Sequence, residues 1–347
     1  MQLVTFEVTT PLGAQRRTGA IHGDAIVDLA LARAALLAST GRPRARAIGE
    51  AEVPADMLEL LRGGQWAIDA AREAVDHVVD AGVEDLGGAT VRHAASAVRL
   101  LAPLPRPNSL RDFLVIEEHL RNARRGLGID ETPPPEWYRL PAHYKGNPDA
   151  IYGPEDEVPY PAFTERLDYE LEICAVVGRA GRRVRAEDAT PYIAGFTLYN
   201  DWSARDMQMR EGSVGIGPGI SKDLGSSIGP CIVTADAWDR DTALLRARVD
   251  GEQWSEGTLA AMHFSFEDII EFVTMEATMQ PGDLLGSGTI GLGCGLEQNR
   301  FLTPGSVVEL EAEGIGVLRN RLAPRTDMRI RDGWGPTAPT APAAAAG

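Results

Sequence analysis

An α+β protein, mainly β over its larger part, is predicted by three features of the 347-residue chain. From Asp168 to Asn320 short apolar runs recur between glycine turns, the pattern of a coiled mixed β-sheet or barrel. Residues 1–100 instead mix strand-like and helix-spaced runs, the mark of a small α/β unit. Between the two lies Leu101–Asn108 (LAPLPRPN), whose prolines favour an extended connector. The expected division is a small amino-terminal domain over 1–104, a larger domain over 105–330, and a disordered Ala/Pro-rich tail over 331–347.

Taken in order, Leu3–Val8 and Ala20–Val27 read as strands, with turn signals at Pro11, Gly13 and Gly23-Asp24. Ile26–Leu37, Pro54–Leu61 and Trp66–Val79 space their apolar residues as helices do. His22, His77 and His93 are too scattered here to suggest ligation. Ser109–Gly126 reads as mostly helical, ending on Gly126 and Gly128. Residues 129–162 form a long loop region rich in proline and aromatics, and loops of that length are usually functional. Ile193–Tyr199, Cys231–Thr234, Leu244–Val249, Asp283–Leu285 and Val307–Glu311 are the clearest later strands, with Phe266–Thr274 the one convincing helix among them.

Composition narrows the partners. Acids outnumber bases 50 to 34, a formal charge of -16, which excludes a basic nucleic-acid footprint and attraction to anionic membranes. No apolar stretch approaches a membrane span, and the amino terminus lacks the basic and apolar regions of a signal peptide, so the cytoplasm is expected. Cys174, Cys231 and Cys294 lack CxxC spacing and read as small core residues of a reducing compartment.

The chemistry concentrates near Leu167–Gly178 (LDYELEICAVVG). On a strand Glu170, Glu172, Cys174 and Val176 share one side, and both faces turn apolar toward its end. Two carboxylates carried into an interior repel each other, which a hard cation relieves; a wet acidic edge strand is the open alternative. Asp201, after the apolar run YIAGFTLYN, is a ligand or a helix N-cap. Asp112 and His119 stand two helical turns apart if their helix is continuous, and His119 in isolation reads as a surface histidine. Ser227 satisfies G-x-S-x-G within GSSIG, but Pro230 and a strand follow where a nucleophile elbow needs a helix. The glycine-rich runs lack G-x-G-x-x-G spacing, and no zinc pattern is present. An oxygen-only set, Glu170, Glu172, Asp201 and Asp112, selects Mg²⁺, Mn²⁺ or Ca²⁺.

Together these residues resemble the fumarylacetoacetate hydrolase family. RDFxxxEEH stands at Arg111–His119, LDYELE at Leu167–Glu172, NDWSARDMQ at Asn200–Gln208 and SKD at Ser221–Asp223. GDLLGSGTIG follows at Gly282–Gly291 and GSVVEL at Gly305–Leu310, in the family's order. The resemblance covers about Leu110 to Asn320. It implies a homodimer built on a coiled mixed sheet, and a metal held by Glu170, Glu172, Asp201 and Asp112. It further implies His119 as general base, Glu309 as the acid orienting it, and Lys222 and Gln208 as groups that stabilise the oxyanion or departing carbanion. Thr289 and Tyr144 match substrate-contacting positions.

The implied activity is hydrolysis of a carbon–carbon bond in an acylpyruvate or related 1,3-diketo acid, such as those of aromatic degradation. Water activated by His119 attacks a carbonyl, and an enolate departs. Leu114 replaces the tyrosine of true fumarylacetoacetases, and the substrate-carboxylate arginine falls near Gly128, so Arg124 or Arg125 is expected to serve instead. The same site could decarboxylate a β-keto acid or isomerise a 2-hydroxy-dienoate. A metal-organised binding protein without catalysis is the non-enzymatic alternative.

Overall fold

Leu3, Val4 and Phe6 are buried on the first strand, Gln2–Thr10, which folds back on Gly13–His22 and continues into Ala25–Asp28. The computed structural model describes residues 1–11 and 13–336, so the expected tail lies, from residue 337 on, outside the described residues. Asp28 ends its strand and caps the helix Leu29–Ser39, its carboxylate accepting from the Leu31 N–H at 2.9 Å. The long helix Gly64–Asp80 buries Ala67, Ile68, Ala71, Ala74, Val75 and Val78, one apolar stripe at helical spacing. Ala20–Val27, read as one strand, is a hairpin turning at Gly23, whose φ of 61° suits the turn.

These amino-terminal strands extend the principal sheet, since Leu3 pairs with Ile232 on the strand Ser226–Thr234. The described residues form a 12-stranded mixed sheet. From Ser226–Thr234 it runs through Ile193–Asp201, Leu171–Val177, Asp283–Gly286 and Ser109–Phe113 to His143–Lys145. Among the described residues its two end strands do not pair, so the sheet is open where the sequence also allowed a barrel. A 5-stranded sheet, centred on Val307–Ala312, packs across it. Leu171–Val177 is buried along its whole length, in keeping with apolar residues on both faces.

Two further readings are corrected. Ser109–Gly126 is not one helix: Ser109–Phe113 is a strand parallel to Asp283–Gly286, and only Glu117–Gly126 is helical. Pairing with a strand over 170 residues away outweighs the local helix-like spacing of Leu110, Phe113 and Leu114. Likewise Leu167–Gly178 is interrupted. Leu167–Asp168 pairs with Ser203–Ala204, and Glu170 makes a separate bridge to Cys294 before Leu171–Val177 begins.

Candidate active site

Neighbouring strands carry carboxylates to one place. Glu172 lies opposite Tyr199, Asp201 closes Ile193–Asp201 opposite Ser226, and Asp112 lies opposite Gly286. Only glycine fits at 286: a Cβ there would stand 2.4 Å from Asp112 Oδ1. We expect Gly286→Ala to destabilise the fold by about 1–3 kcal/mol through overpacking and to displace the Asp112 carboxylate. Denaturant unfolding beside a divalent-metal titration measures both, and wild-type values in each would refute the account.

Asp112, Glu170 and Asp201 bring carboxylate oxygens within 4.8 Å of one another, all buried. Glu172 joins them, accepting from Thr289 Oγ1 at 3.1 Å. Lys222 Nζ donates to both Glu170 and Asp201. Tyr144 donates its hydroxyl to Asp201 Oδ2 at 2.5 Å, and Arg205 donates to Glu170 Oε1 at 2.9 Å, to Asp168 Oδ2 at 2.8 Å and to Gln208 Oε1 at 3.1 Å.

The electrostatics are unbalanced. Lys222 and Arg205 are the buried cations facing four clustered carboxylates. Burial pushes Asp112 up to about 7, with Asp201 beside it adding to the rise. Burial and then Asp112 push Glu172 well above the usual carboxylate range, and burial raises Asp201 against the pull of Lys222. Glu170 alone is held below its ordinary value: burial opposes this, but Arg205 and Lys222 outweigh it. Asp112 Oδ1, Glu172 Oε2 and Asp201 Oδ1 are buried without a hydrogen-bond partner. Unpaired buried carboxylate oxygens are costly, and a hard divalent cation in the cluster of Asp112, Glu170 and Asp201 would relieve that cost, so the donor set fits such an ion.

His119, buried on the helix Glu117–Gly126, holds Glu297 Oε1 at 2.8 Å through Nδ1, while Nε2 stands 3.8 Å from Glu170 Oε1. Burial alone would lower the His119 pKa, yet Glu297 raises it overall. Glu297 rides the short helix Gly295–Gln298, whose first N–H groups, of Gly295 and Leu296, donate to Asp168 at 2.8 and 2.9 Å. Asp168, overlooked in the sequence, thus ties Arg205 to the segment that supplies the histidine's partner.

That partner is not Glu309. Glu309 lies on Val307–Ala312 in the other sheet, opposite Arg248, with Arg319 at 3.6 Å. Arg125 is also displaced from its expected role: it is exposed, spends its guanidinium on Glu131 and Asn122, and is not among the cavity-lining residues. Arg124 does line the cavity, as do Gln208, Tyr144, Thr289 and Leu114, around a volume of about 820 Å³. Ser227 is buried and accepts from Trp202 Nε1 at 2.8 Å, a structural role.

The family profile described as fumarylacetoacetate (FAA) hydrolase, C-terminal, matches residues 109–323. The chain belongs to the fumarylacetoacetate hydrolase family. It is 28% identical over 275 residues to oxaloacetate tautomerase YisK of Bacillus subtilis, covering 78% of this chain and 87% of that protein. The mitochondrial oxaloacetate tautomerase FAHD2A of Homo sapiens is 30% identical over 272 residues, covering 78% of this chain and 80% of that one.

Among solved structures, the fumarylacetoacetate hydrolase of psychrophilic Exiguobacterium antarcticum superposes with a TM-score of 0.65 at 24% identity, covering 93% of this chain and 100% of that one. Maleylpyruvate hydrolase of Sphingobium sp. SYK-6, in complex with manganese (II) ion and pyruvate, also gives 0.65, at 21% identity, covering 94% and 100%. These two likenesses establish the shared fold. The two curated relatives of this family member are named as oxaloacetate tautomerases, so the chain is related to enzymes acting on a small molecule. No helix of the described residues is long and apolar enough to cross a membrane.

Proposed function

We propose that this protein is a divalent-metal-dependent enzyme that moves a proton at the carbon between two carbonyl groups, as a keto–enol tautomerase of an oxaloacetate-like 2-oxo acid. The observation that carries this reading is the pairing of His119 with Glu297. A carboxylate can only accept, so Nδ1 donates and Nε2 is left as a base facing the carboxylate cluster. The names of the curated relatives support the same reaction class.

Glu170, Glu172, Asp201 and Asp112 would hold the cation, Mg²⁺ or Mn²⁺ by donor type, with Ca²⁺ also compatible. When bound, the ion supplies positive charge that acidifies the carbon next to a polarised carbonyl. His119 Nε2 takes the proton from that carbon, and the C–H electron pair becomes the C=C bond of the enolate. Lys222 and Gln208 face the charge that develops on oxygen, help that acts because it is already in place. The proton then passes from His119 to the enolate oxygen, giving the enol. Thr289 and Tyr144 hold Glu172 and Asp201 in position, and Arg124 at the cavity wall is placed to meet a substrate carboxylate.

The cavity supports a second reading. Its volume exceeds what a four-carbon acid fills, and its lining includes the apolar Leu120, Ala123, Leu127, Ile129 and Met209. An acylpyruvate fits there, with His119 drawing its proton from water instead, for carbon–carbon hydrolysis. Product analysis separates the two. With Mg²⁺ or Mn²⁺ present, tautomerisation interconverts keto and enol oxaloacetate at constant mass, whereas hydrolysis yields two carbon fragments and decarboxylation releases CO₂. Absence of metal-dependent conversion across oxaloacetate and a panel of acylpyruvates would leave only a binding protein. Family membership also supports a homodimer and a small amino-terminal domain over 1–104; light scattering of the full chain tests the dimer.

A further inference from the structure

Glu297 is gripped on both of its oxygens. Oε1 accepts from His119 Nδ1 at 2.8 Å and lies 3.4 Å from the Cys294 sulfur. Oε2 accepts from Asn122 Nδ2 at 3.0 Å and from the Leu292 N–H at 2.8 Å. Leu292 presents that N–H from a φ of 58°, a left-handed conformation that branched side chains rarely adopt. Such a conformation persists where its surroundings over-determine it. Here the Leu292 carbonyl accepts from Ser255 Oγ at 2.6 Å and from Gln298 Nε2 at 3.3 Å.

Asn122 stands three residues after His119 on the same helix, so the two side chains share a face. Its amide is oriented from both ends, because Oδ1 accepts from Arg125 Nη1 at 3.1 Å while Nδ2 donates to Glu297. Turning the amide over would set oxygen against carboxylate and NH₂ against guanidinium. Arg125, anchored on Glu131 at 2.6 Å, thereby selects the amide orientation that Glu297 requires.

We propose that Asn122 is a positioning residue of the base: it fixes Glu297 so that the His119 proton stays on Nδ1 and Nε2 remains free. His119, Glu297 and Asn122 then act as one unit, with the Leu292 N–H as the second jaw of the clamp. The inference rests on the reading of His119 as the base.

Two variants test it in the full-length, Mg²⁺-loaded protein. Asn122→Leu removes both amide bonds at similar volume. Asn122→Asp keeps the shape but sets a second carboxylate against Glu297. Each is expected to lower kcat for oxaloacetate tautomerisation about 10-fold or more, with KM within about twofold. In a His119→Ala background the same changes should alter the residual rate by less than about twofold, since groups acting as a unit are lost together.

A second measurement needs no turnover. Nitrogen-15 NMR of the histidines, with His119 assigned by its disappearance in His119→Ala, should report a single Nδ1–H tautomer in the wild type and mixed tautomers in Asn122→Leu. That change without turnover of any 2-oxo acid would uphold the clamp and overturn the assigned reaction. An unchanged tautomer signal, or equal losses of rate with and without His119, would overturn the clamp.

Discussion

Glu297→Gln is expected to lower kcat on the order of 10³–10⁴-fold while leaving divalent-metal affinity close to wild type. An amide at this position can donate to His119 Nδ1, which favours the tautomer with its proton on Nε2, and amidation of the equivalent acid in a serine-protease triad has an effect of about that size. His119→Ala should lose turnover of comparable order, about 10²–10⁴-fold, again with metal retained, because His119 stands apart from the three carboxylates whose oxygens meet. Glu309→Gln is the contrasting case. Glu309 faces Arg319 at 3.6 Å on a strand of the other sheet, so its kcat should stay within about twofold of wild type. Steady-state kinetics on the three variants, each with a calorimetric metal titration, decide the matter. A large loss in Glu309→Gln with none in Glu297→Gln would reverse the assignment.

The reason Glu297 escapes a reading of the sequence is physical. It lies 178 residues from His119 and in a four-residue helix after a glycine run, where nothing periodic marks it. A usable signal was present in GLGCGLEQN: glycines crowd where backbone must approach a partner closely. At Gly295 a Cβ would stand 2.0 Å from the Arg300 carbonyl and 2.7 Å from Asp168 Oδ1. Glu172 and Asp201 were legible because each sits in a local motif on a strand whose apolar run announces an interior. Glu172 and Asp201 end up beside each other because Leu171–Val177 and Ile193–Asp201 pair. Asp112 was legible as a residue but not as a strand residue. Its backbone is extended because Ser109–Phe113 pairs with Asp283–Gly286, a contact that helical spacing cannot report. The mainly-β class followed from short runs and glycine turns, whereas the open edge of the principal sheet depends on tertiary pairing that these signals do not encode.

Divalent-metal affinity should rise steeply with pH up to about neutrality. Asp112, Glu172 and Asp201 all have pKa values raised by burial, Asp112 to about 7, so below neutrality and without a cation Asp112 holds a proton that binding must expel. Below pH 7 each tenfold rise in proton concentration should therefore weaken binding about tenfold through the proton held by Asp112. The sign for the metal-free protein is opposite. A carboxyl whose folded pKa lies above its unfolded value binds its proton more tightly when folded, so ionising it weakens the fold as pH rises from about 4 to about 7. Asp112→Asn removes that ionisation. Its melting temperature without metal should accordingly gain on the wild type between pH 5 and pH 8, while its metal affinity falls. Thermal melts of both proteins in chelator across that range, beside calorimetry in buffers of different ionisation enthalpy, measure the two effects. A constant difference in melting temperature together with metal binding that releases no protons would mean that the cluster is already ionised and compensated by Lys222 and Arg205 alone.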